Sequence, residues 1–221
     1  NLKRVLREIA QATTAAHRPA DAVKLIAVSK TKPIADVRAA VQAGQVDFGE
    51  NKVQEMVEKH AAIPDVRWHM IGNLQRNKVK YIAPFVHLIH SIDDERLLAE
   101  VDRQAQLHGR VVNCLLQINI SDEGQKGGFT EAEAAALLAQ IDRFAHVRIL
   151  GLMGMAAFTD DMAVVQAQFE RLARAQACFQ KWNGPQVQMS ELSMGMSGDF
   201  ETAIAAGSTM VRIGGSIFGN R

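Results

Sequence analysis

The sequence has no excess of charge of either sign and no long hydrophobic run. Its 25 basic and 24 acidic side chains leave a formal net charge of +1, and the basic residues are scattered along the chain. This distribution argues against a nucleic-acid-binding surface. No apolar stretch reaches the roughly 20 residues of a bilayer-spanning helix, and no charged segment followed by an apolar run opens the sequence. We therefore expect a cytoplasmic protein that binds neither nucleic acid nor membrane.

Cysteine and tyrosine are also scarce. The two cysteines are Cys114, in an apolar run, and Cys178, in a helical pattern. They lack the paired spacing of zinc sites, and we expect both to be reduced packing residues. His87 and His90 straddle a predicted strand end without the i, i+4 spacing of a helical zinc pair. No metal site is predicted. The single tyrosine is Tyr81, which bears on the chemistry considered below.

What the sequence does have is a regular alternation of short β-like runs and helical patterns. Strict alternation implies parallel strands joined by right-handed helical crossovers. Eight such units predict an α/β protein folded as a (β/α)8 TIM barrel, in a single domain over residues 1–221. An open doubly wound sheet is the alternative, but no Gly-x-Gly-x-x-Gly opens the first helix. The β-like runs are Lys24–Ser29, Val46–Gly49, Arg67–Ile71, Val86–Ile89, Val111–Ile120, Val147–Leu152, Gln186–Glu191 and Thr209–Ile213.

An extra helix precedes the first of these runs. Leu2, Val5, Leu6 and Ile9 recur at helical spacing and form an apolar stripe. That stripe has two possible partners, the barrel itself or a second copy of the chain. We accordingly expect a monomer or a weak dimer.

In a TIM barrel, ligands bind at the carboxyl ends of the strands. Lys30 stands at such an end, because the apolar run Leu25 to Val28 stops just before it and Pro33 follows it. A lysine placed there is expected to be partly desolvated, which favours the neutral amine. Schiff-base chemistry with an aldehyde needs that neutral amine. The alternative is an ordinary solvated lysine at a strand end.

Two later loops carry the signs of an anion site. Gly214, Gly215 and Ser216 follow the last β-like run, and the loops after strands seven and eight are the usual phosphate site of this barrel. Ser197 lies at the expected amino end of a helix over Gly198–Ala206. Its hydroxyl is placed either to cap that helix or to donate to a phosphate.

Arg212 lies within the apolar run Met210–Ile213. Arginine is rarely buried unless it is paired. One interpretation is a structural ion pair with a carboxylate at a strand end, such as Glu191 or Asp199. The other is that the guanidinium holds a ring nitrogen or an anion inside the barrel mouth. His69 is interpreted as a core histidine with satisfied hydrogen bonds.

The segments at these strand ends resemble the pyridoxal 5′-phosphate (PLP) homeostasis protein family, also called the YggS/PROSC family. They occur in family order across nearly the whole chain. The resemblance implies a barrel similar to the amino-terminal domain of alanine racemase, with PLP held as a Schiff base on Lys30. It also implies that Asn51 lies near the cofactor, and that Arg212 faces the pyridine nitrogen. The phosphate would be held by Ser197 and by the amides of Gly214 and Gly215. The segments that carry the resemblance are Ile26–Pro33, Phe48–Glu55, Trp68–Gln75, Leu192–Phe200 and Val211–Gly214.

The resemblance leaves two functions open. One is a PLP carrier that serves vitamin B6 homeostasis and the supply of PLP-requiring apoenzymes, with little or no turnover. The other is an amino-acid racemase of the alanine racemase type. Two-base racemisation needs a second acid or base on the far side of the cofactor, and in enzymes similar to alanine racemase that group is a tyrosine from an additional β domain. The sequence given ends soon after its eighth β-like run, so we expect no such domain, and Tyr81 is expected to lie too far away.

The expected position of Arg212 points the same way. A guanidinium stays protonated and would leave the pyridine nitrogen unprotonated, which weakens the ring as an electron sink. This limits the type of reaction without excluding catalysis. Lys32 and Lys126 are expected to be spare amines near the rim. We therefore expect a carrier that binds PLP covalently and turns over amino acids negligibly.

Overall fold

All eight predicted strands are present, and they close into one parallel barrel in the order β1 to β8. The structure is a computed structural model that describes residues 1–121 and 127–219. β8 pairs with β1 from Lys24↔Met210 to Ala27↔Ile213, which closes the barrel. The TIM barrel is therefore confirmed, and the open doubly wound alternative is wrong. The strands are β1 Lys24–Val28, β2 Asp47–Glu50, β3 Arg67–Met70, β4 Leu88–Ile92, β5 Val112–Gln117, β6 Val147–Met153, β7 Val187–Ser193 and β8 Met210–Ile213.

The helices alternate with the strands as expected, and local capping explains several of their starts. Asp94 accepts a hydrogen bond from Leu97 N–H at the start of α5, and Thr130 forms a capping box with Glu133 at the start of α6. One short helix, α9, was not predicted, whereas α4 is the helix after β3 on which Tyr81 was expected. The helices are α1 Leu2–Ala15, α2 Ile34–Gln42, α3 Val53–Ala62, α4 Val79–Ile82, α5 Glu95–Leu107, α6 Glu131–Leu138, α7 Met162–Phe179, α8 Phe200–Ala205 and α9 Gly215–Phe218.

The first helix packs on the barrel. Leu2, Val5 and Ile9 of α1 are buried in the main apolar core, and α1 contacts α8 and α9. Leu6, at the edge of the predicted stripe, is 42% exposed. Of the two partners considered for this stripe, the barrel is the one observed. Within residues 1–121 and 127–219, no helix combines the length and apolar character needed to cross a bilayer.

The interior of the barrel differs from the layer between strands and helices. Between the strands and the helices, apolar side chains such as Phe48 of β2 and Trp68 of β3 belong to one large core. Inside, a separate small apolar cluster is formed by Ile26, Leu88, Leu115, Met153 and Met210. The strands also carry buried polar side chains, namely Asp47, His69, His90, Ser193 and Arg212. The barrel is thus filled by two kinds of residue, and the polar ones lead toward its carboxyl end.

Candidate functional site

A cavity of about 450 Å³ opens at the carboxyl ends of the strands. Its volume lies within the usual range for small-molecule sites. The structure brings all six predicted site residues to this one cavity, although they come from four separate parts of the chain. The six are Lys30, Asn51, Ser197, Arg212, Gly214 and Gly215. Their assignment as cofactor ligands stays a prediction.

Lys30 lies two residues beyond the end of β1 and is exposed. Among the described residues, its side chain has no hydrogen bond or ion pair. The backbone around it forms a tight turn, in which Lys32 N–H donates to Ser29 O at 3.0 Å and Thr31 has φ of 62°. We call Ser29–Lys32 the lysine turn. The expectation of a desolvated amine was wrong, because the turn carries Lys30 out of the sheet and into the open mouth of the cavity.

A buried ion pair supports the lysine turn from behind. Lys59 Nζ on α3 lies 2.6 Å from Glu50 Oε1 at the end of β2, and it also donates to Ser29 O at 2.7 Å. Ser29 Oγ donates to the same Glu50 oxygen at 2.6 Å. Burial raises the pKa of Glu50, although the bonds from Lys59 and Ser29 oppose that rise. Glu55 Oε2 accepts a hydrogen bond from Thr31 N–H at 2.7 Å, so the turn is held at Ser29 and at Thr31.

Arg212 is held in a different way, by neutral acceptors. Its Nη1 donates to Ser193 O at 2.8 Å and to Ser193 Oγ at 2.7 Å, and its Nη2 donates to Gly154 O at 3.1 Å. No described carboxylate forms an ion pair with it, so the predicted pairing with Glu191 or Asp199 is wrong. Glu191 instead lies 3.7 Å from Lys24 Nζ. Burial lowers the pKa of Arg212 to about 10, with Asp199 acting weakly against that shift, and the guanidinium stays charged at neutral pH.

The glycine-rich loop after β8 presents unbonded backbone donors. A Cβ on Gly214 would lie 2.8 Å from Val28 O, so glycine is needed for this loop to pass the end of β1 so closely. Gly215 and Ser216 begin α9, where amides have no acceptor within their own helix. Among the described residues, no backbone acceptor is found for these two N–H groups. They are available to a ligand.

Ser197 does not cap a helix. α8 begins at Phe200, with Asp199 as its N-cap residue, so the capping role proposed for Ser197 is wrong. Ser197 is exposed and lines the cavity. Its hydroxyl makes no hydrogen bond to another described residue. The second of its two predicted roles, donation to a phosphate, remains open.

Asn51 follows β2 and is half-buried at the cavity wall. Its side-chain amide is not bonded to any other described residue. A Cβ on Gly72 would lie 2.5 Å from Asn51 O, so only glycine lets the loop after β3 pack directly against this backbone. The position of Asn51 therefore depends on a close contact between two strand-end loops.

Other residues around the cavity were not predicted. Ile71, Met155 and Met196 supply apolar surface at its wall and rim. Lys32 also lines it, but Lys32 Nζ donates to Gly219 O at 2.9 Å and to Phe218 O at 3.3 Å. It is thus not the spare amine that was expected. Lys126, the other expected amine, lies outside the described residues.

Two further sequence predictions concern residues away from the cavity. Tyr81 lies on α4, is 49% exposed and packs near the amines of Lys78 and Lys80. Tyr81 was expected to lie too far from the site, and it is not among the residues that line the cavity. His69 is a fully buried histidine with both ring nitrogens hydrogen-bonded, which confirms that it is a satisfied core residue.

The structure groups His69 with Asp47 and His87 closely enough to suggest a metal site. Their potential ligand atoms lie within 4.8 Å of one another. Both carboxylate oxygens of Asp47 already accept hydrogen bonds, one from His69 Nε2 at 2.9 Å and one from Arg67 Nη2 at 2.7 Å. Hydrogen bonding therefore accounts for the closeness of Asp47 and His69, and His87 contacts the His69 ring with 5.2 Å between the ring centroids.

Comparison with known proteins places these features in a family. The family described as alanine racemase, N-terminal domain, matches residues 1–221. The pyridoxal phosphate homeostasis protein of Pasteurella multocida is 42% identical over 228 residues, which cover 100% of this chain and 96% of that protein. The protein of the same name from Escherichia coli K12 is 39% identical over 226 residues, with coverages of 100% and 95%.

Solved structures show the same architecture. PipY of Synechococcus elongatus with PLP bound is 38% identical, with a TM-score of 0.82 over 96% of this chain and 100% of PipY. Alanine racemase of Streptomyces lavendulae is 20% identical, with a TM-score of 0.78 over 98% of this chain and 57% of the racemase. At that identity, the second likeness concerns the fold alone.

Proposed function

This chain belongs to the alanine racemase N-terminal domain family and, within it, to the pyridoxal phosphate homeostasis proteins, and we propose that it binds PLP and serves PLP homeostasis. The cofactor is held as a Schiff base on Lys30, in a single PLP-binding domain over residues 1–221. The observation that carries the proposal is the convergence of a free lysine amine, a buried arginine and unbonded N–H donors on one cavity.

The groups around the cavity match the parts of PLP. A free amine at Lys30 suits an aldehyde, and the N–H groups of buried Arg212 suit an unprotonated ring nitrogen. Three neutral donors suit a phosphate group, namely the predicted amide of Gly215 and hydroxyl of Ser197, and the amide of Ser216, which was not predicted. The same role for the amide of Gly214 stays a prediction. Donors of this kind at a loop after β8 are the phosphate-binding arrangement of the TIM barrel.

Positioning of the aldehyde favours its reaction with the exposed amine of Lys30. Holding the phosphate and the ring in place brings the aldehyde next to Lys30. Proximity of that kind raises effective concentration by several orders of magnitude. The same openness leaves the Schiff base accessible to water, which suits a protein that must release PLP again. We propose PLP-requiring apoenzymes of the cytoplasm as the recipients, and a monomer or weak dimer as the working form.

Low turnover follows from the side chains at the cavity. Among the described residues that line it, the titratable groups are Lys30, Lys32 and Arg212. Lys32 is bonded to two carbonyls, and Arg212 stays charged at neutral pH. No carboxylate, histidine or tyrosine of this set stands opposite Lys30 as a second base, which two-base racemisation requires. The competing function, amino-acid racemisation, therefore lacks a second base among the described residues that line the cavity.

The test is an absorption spectrum of the purified protein with PLP, recorded for the wild type, Lys30→Ala and Lys32→Ala. Lys32 is a matched control because it lines the same cavity two residues away. We expect a visible Schiff-base band in the wild type and Lys32→Ala that is lost in Lys30→Ala. Reduction with borohydride should attach PLP to the peptide containing Lys30. A full band in Lys30→Ala would contradict the assignment.

A chiral assay on the same samples separates the two functions. We expect the interconversion of common L- and D-amino acids to stay at the rate of free PLP. Racemisation well above that rate, lost in Lys30→Ala, would favour the racemase. Transfer of PLP from the loaded protein to an added apoenzyme, followed by the recovery of that enzyme's activity, would support the carrier.

A further inference from the structure

Five buried side chains form a continuous line of hydrogen bonds through the barrel. Asp47 is the first residue of β2, so the line starts at the amino end of the barrel. Ser193 is the last residue of β7 and lies at the carboxyl end. The line reaches the cavity at Arg212. The distances are 2.7 Å from Arg212 Nη1 to Ser193 Oγ, 2.9 Å from Ser193 Oγ to His90 Nδ1, 2.9 Å from His90 Nε2 to His69 Nδ1, and 2.9 Å from His69 Nε2 to Asp47 Oδ1. We call these five residues the histidine chain.

The carboxylate of Asp47 determines which way the protons of the histidine chain point. Burial alone would raise the pKa of Asp47, but the hydrogen bonds from His69 and Arg67 and the charge of Arg67 outweigh burial and hold that pKa below its usual value. An ionised carboxylate only accepts hydrogen bonds. His69 Nε2 must therefore carry the proton in this bond.

Both histidines are neutral, so each has one donor and one acceptor nitrogen. Burial lowers the pKa of His69, and burial together with the nearby positive charges lowers that of His90 well below its usual value. With its proton on Nε2, His69 accepts at Nδ1, and His90 must donate from Nε2. His90 then accepts at Nδ1, and the hydroxyl hydrogen of Ser193 is committed to it.

The opposite direction leaves bonds unmade. If His90 carried its proton on Nδ1, it would donate to Ser193, and the hydroxyl hydrogen of Ser193 would have to turn toward Arg212, which is itself a donor. At the other end, an unprotonated His69 Nε2 would face the Asp47 carboxylate. Buried acceptors facing each other in this way are costly. Only the direction from Arg212 to Asp47 satisfies every member of the chain.

We propose that the histidine chain makes Ser193 an obligatory hydrogen-bond acceptor for Arg212, and so fixes the guanidinium with its remaining N–H groups toward the ring nitrogen of PLP. This rests on the proposed function. Arg212 uses three of its five N–H groups on Ser193 O, Ser193 Oγ and Gly154 O. The other two have no acceptor among the described residues. Ser193, His90, His69 and Asp47 are positioning residues that act through Arg212.

The arrangement also supplies a distant counter-charge. Arg212 has no ion-pair partner among the described residues, and hydrogen bonds in a line polarise one another toward the carboxylate at its end. Asp47 therefore stabilises the charge on Arg212 through the intervening dipoles. Arg67, which binds the other oxygen of Asp47 at 2.7 Å and is 44% exposed, lies outside this line and is not required for it.

The first test does not depend on PLP. In protein labelled with ¹⁵N-histidine and free of cofactor, the ring-nitrogen shifts at neutral pH report the tautomer of each histidine. We expect His69 and His90 both to be neutral and protonated on Nε2. A proton on Nδ1 of either ring, or a charged ring, would overturn the inference whatever the fate of the proposed function.

The second test measures the effect on the cavity. Ser193→Ala removes the hydroxyl that accepts from Arg212 Nη1 and leaves the acceptors Ser193 O and Gly154 O in place. Ser208→Ala is its matched control, since Ser208 is a buried serine whose hydroxyl bonds only the carbonyls of Leu192, Met194 and Met210. Loss of a hydrogen bond to a charged group should weaken PLP binding about tenfold in Ser193→Ala. It should also shift the ¹⁵N resonance of ring-labelled PLP. Ser208→Ala should bind PLP within about twofold of the wild type.

Asp47→Asn tests the chain from its far end with almost no change in shape, and it keeps the test decisive if Ser193→Ala fails to fold. The amide oxygen is drawn to Arg67, which turns its NH₂ toward His69 and should reverse the tautomers of both histidines. PLP binding should weaken by about threefold or more, whereas Arg67→Gln should leave it unchanged. If the wild type binds PLP and neither Ser193→Ala nor Asp47→Asn alters affinity or spectrum, the inference fails alone. If the wild type binds no PLP, the proposed function fails. The tautomers of His69 and His90 then still show whether the hydrogen bonds of the histidine chain run in the inferred direction.

Discussion

Two basic side chains that line the cavity, Lys30 and Arg212, are held in opposite ways. Lys30 is exposed and has no partner of its own among the described residues, while the turn beneath it is supported by the buried pair of Glu50 and Lys59. Arg212 is only 5% exposed, and its guanidinium is anchored directly by three acceptors. The difference follows from what each group has to do. An amine that forms and breaks a covalent bond must keep its side chain free, whereas a donor that recognises a ring must not move.

The electrostatics of the two regions differ in the same way. Behind the lysine turn, two opposite charges lie 2.6 Å apart and largely cancel. In the described part of the chain, no carboxylate lies within ion-pair distance of Arg212. The histidine chain links Arg212 to the carboxylate of Asp47 through hydrogen bonds. One region is therefore stabilised by a local ion pair, and the other by a long line of neutral hydrogen bonds. Each of the following changes alters one region and leaves the other intact.

The largest effect is expected from breaking the ion pair. Lys59→Met leaves Glu50 buried without a counter-charge, and should lower the free energy of unfolding by about 3–5 kcal/mol, as measured by denaturant titration. Arg4→Met is the matched control, since the Arg4–Glu8 pair has a similar 2.8 Å distance but lies at the surface, where such pairs contribute only about 0–1 kcal/mol. Similar losses in the two variants would show that burial of the pair is irrelevant.

A smaller effect is expected on the pH dependence of the free energy of unfolding, because of the buried histidines His69, His87 and His90. Burial and neighbouring positive charges lower the pKa of His87 to about 4, and burial also lowers those of His69 and His90. The unfolded chain binds protons at these rings near pH 6.5, where the folded chain does not. Stability should thus be complete above about pH 6.5 and fall as pH drops toward 4.

His87→Asn isolates one part of this dependence, because His87 is not a member of the histidine chain. Unfolding free energies measured between pH 4 and pH 6.5 should show a dependence smaller by about one proton in this variant. The tautomers of His69 and His90 should remain those of the wild type. An unchanged pH dependence would mean that His87 titrates normally in the folded protein.

The smallest effect concerns the backbone of the lysine turn. Thr31 has φ of 62°, which is unfavourable for a β-branched residue. Thr31→Gly should raise the free energy of unfolding by about 1 kcal/mol or less, since relief of strain is partly offset by the greater freedom of the unfolded chain. PLP binding should nevertheless weaken a few-fold, because Lys30 then sits on a looser turn.

The control for that variant is His17→Gly, at the other described non-glycine residue with positive φ, 56°. It lies after α1, away from the cavity, and should show a similar change in stability without any change in PLP affinity. If Thr31→Gly binds PLP as tightly as the wild type, the strained turn has no part in presenting Lys30.

Much of the fold could be predicted because it follows from local patterns of apolar and polar residues along the chain. The apolar run Leu25 to Val28, its abrupt end at Ser29 and the helical stripe after Pro33 together specify one β–α unit, and seven more follow. Strand ends were less predictable. β4 begins at Leu88 and β5 ends at Gln117, because pairing with neighbouring strands, and not residue preference, decides where a strand stops.

The cavity was predictable for a related reason, since a barrel gathers the ends of its strands in one place. Lys30, Asn51 and Arg212 could be placed there from their positions after or near the ends of predicted strands. Their surroundings could not be. The exposure of Lys30 and the neutral acceptors of Arg212 depend on loops and strands far away in the sequence. The one available signal for the histidine chain was the occurrence of polar residues such as His69 and His90 within otherwise apolar strands.

The sequence by itself determined the alternation of elements, the closed parallel barrel and the set of residues at its carboxyl end, because these depend on periodicity and on the order of segments along the chain. Tertiary structure alone decided that Glu50 meets Lys59 and that Asp47 is linked to Arg212. Hydrogen bonds and ion pairs form over about 3 Å, and only the closing of the barrel brings side chains from β2, β3, β4, β7 and β8 within that distance.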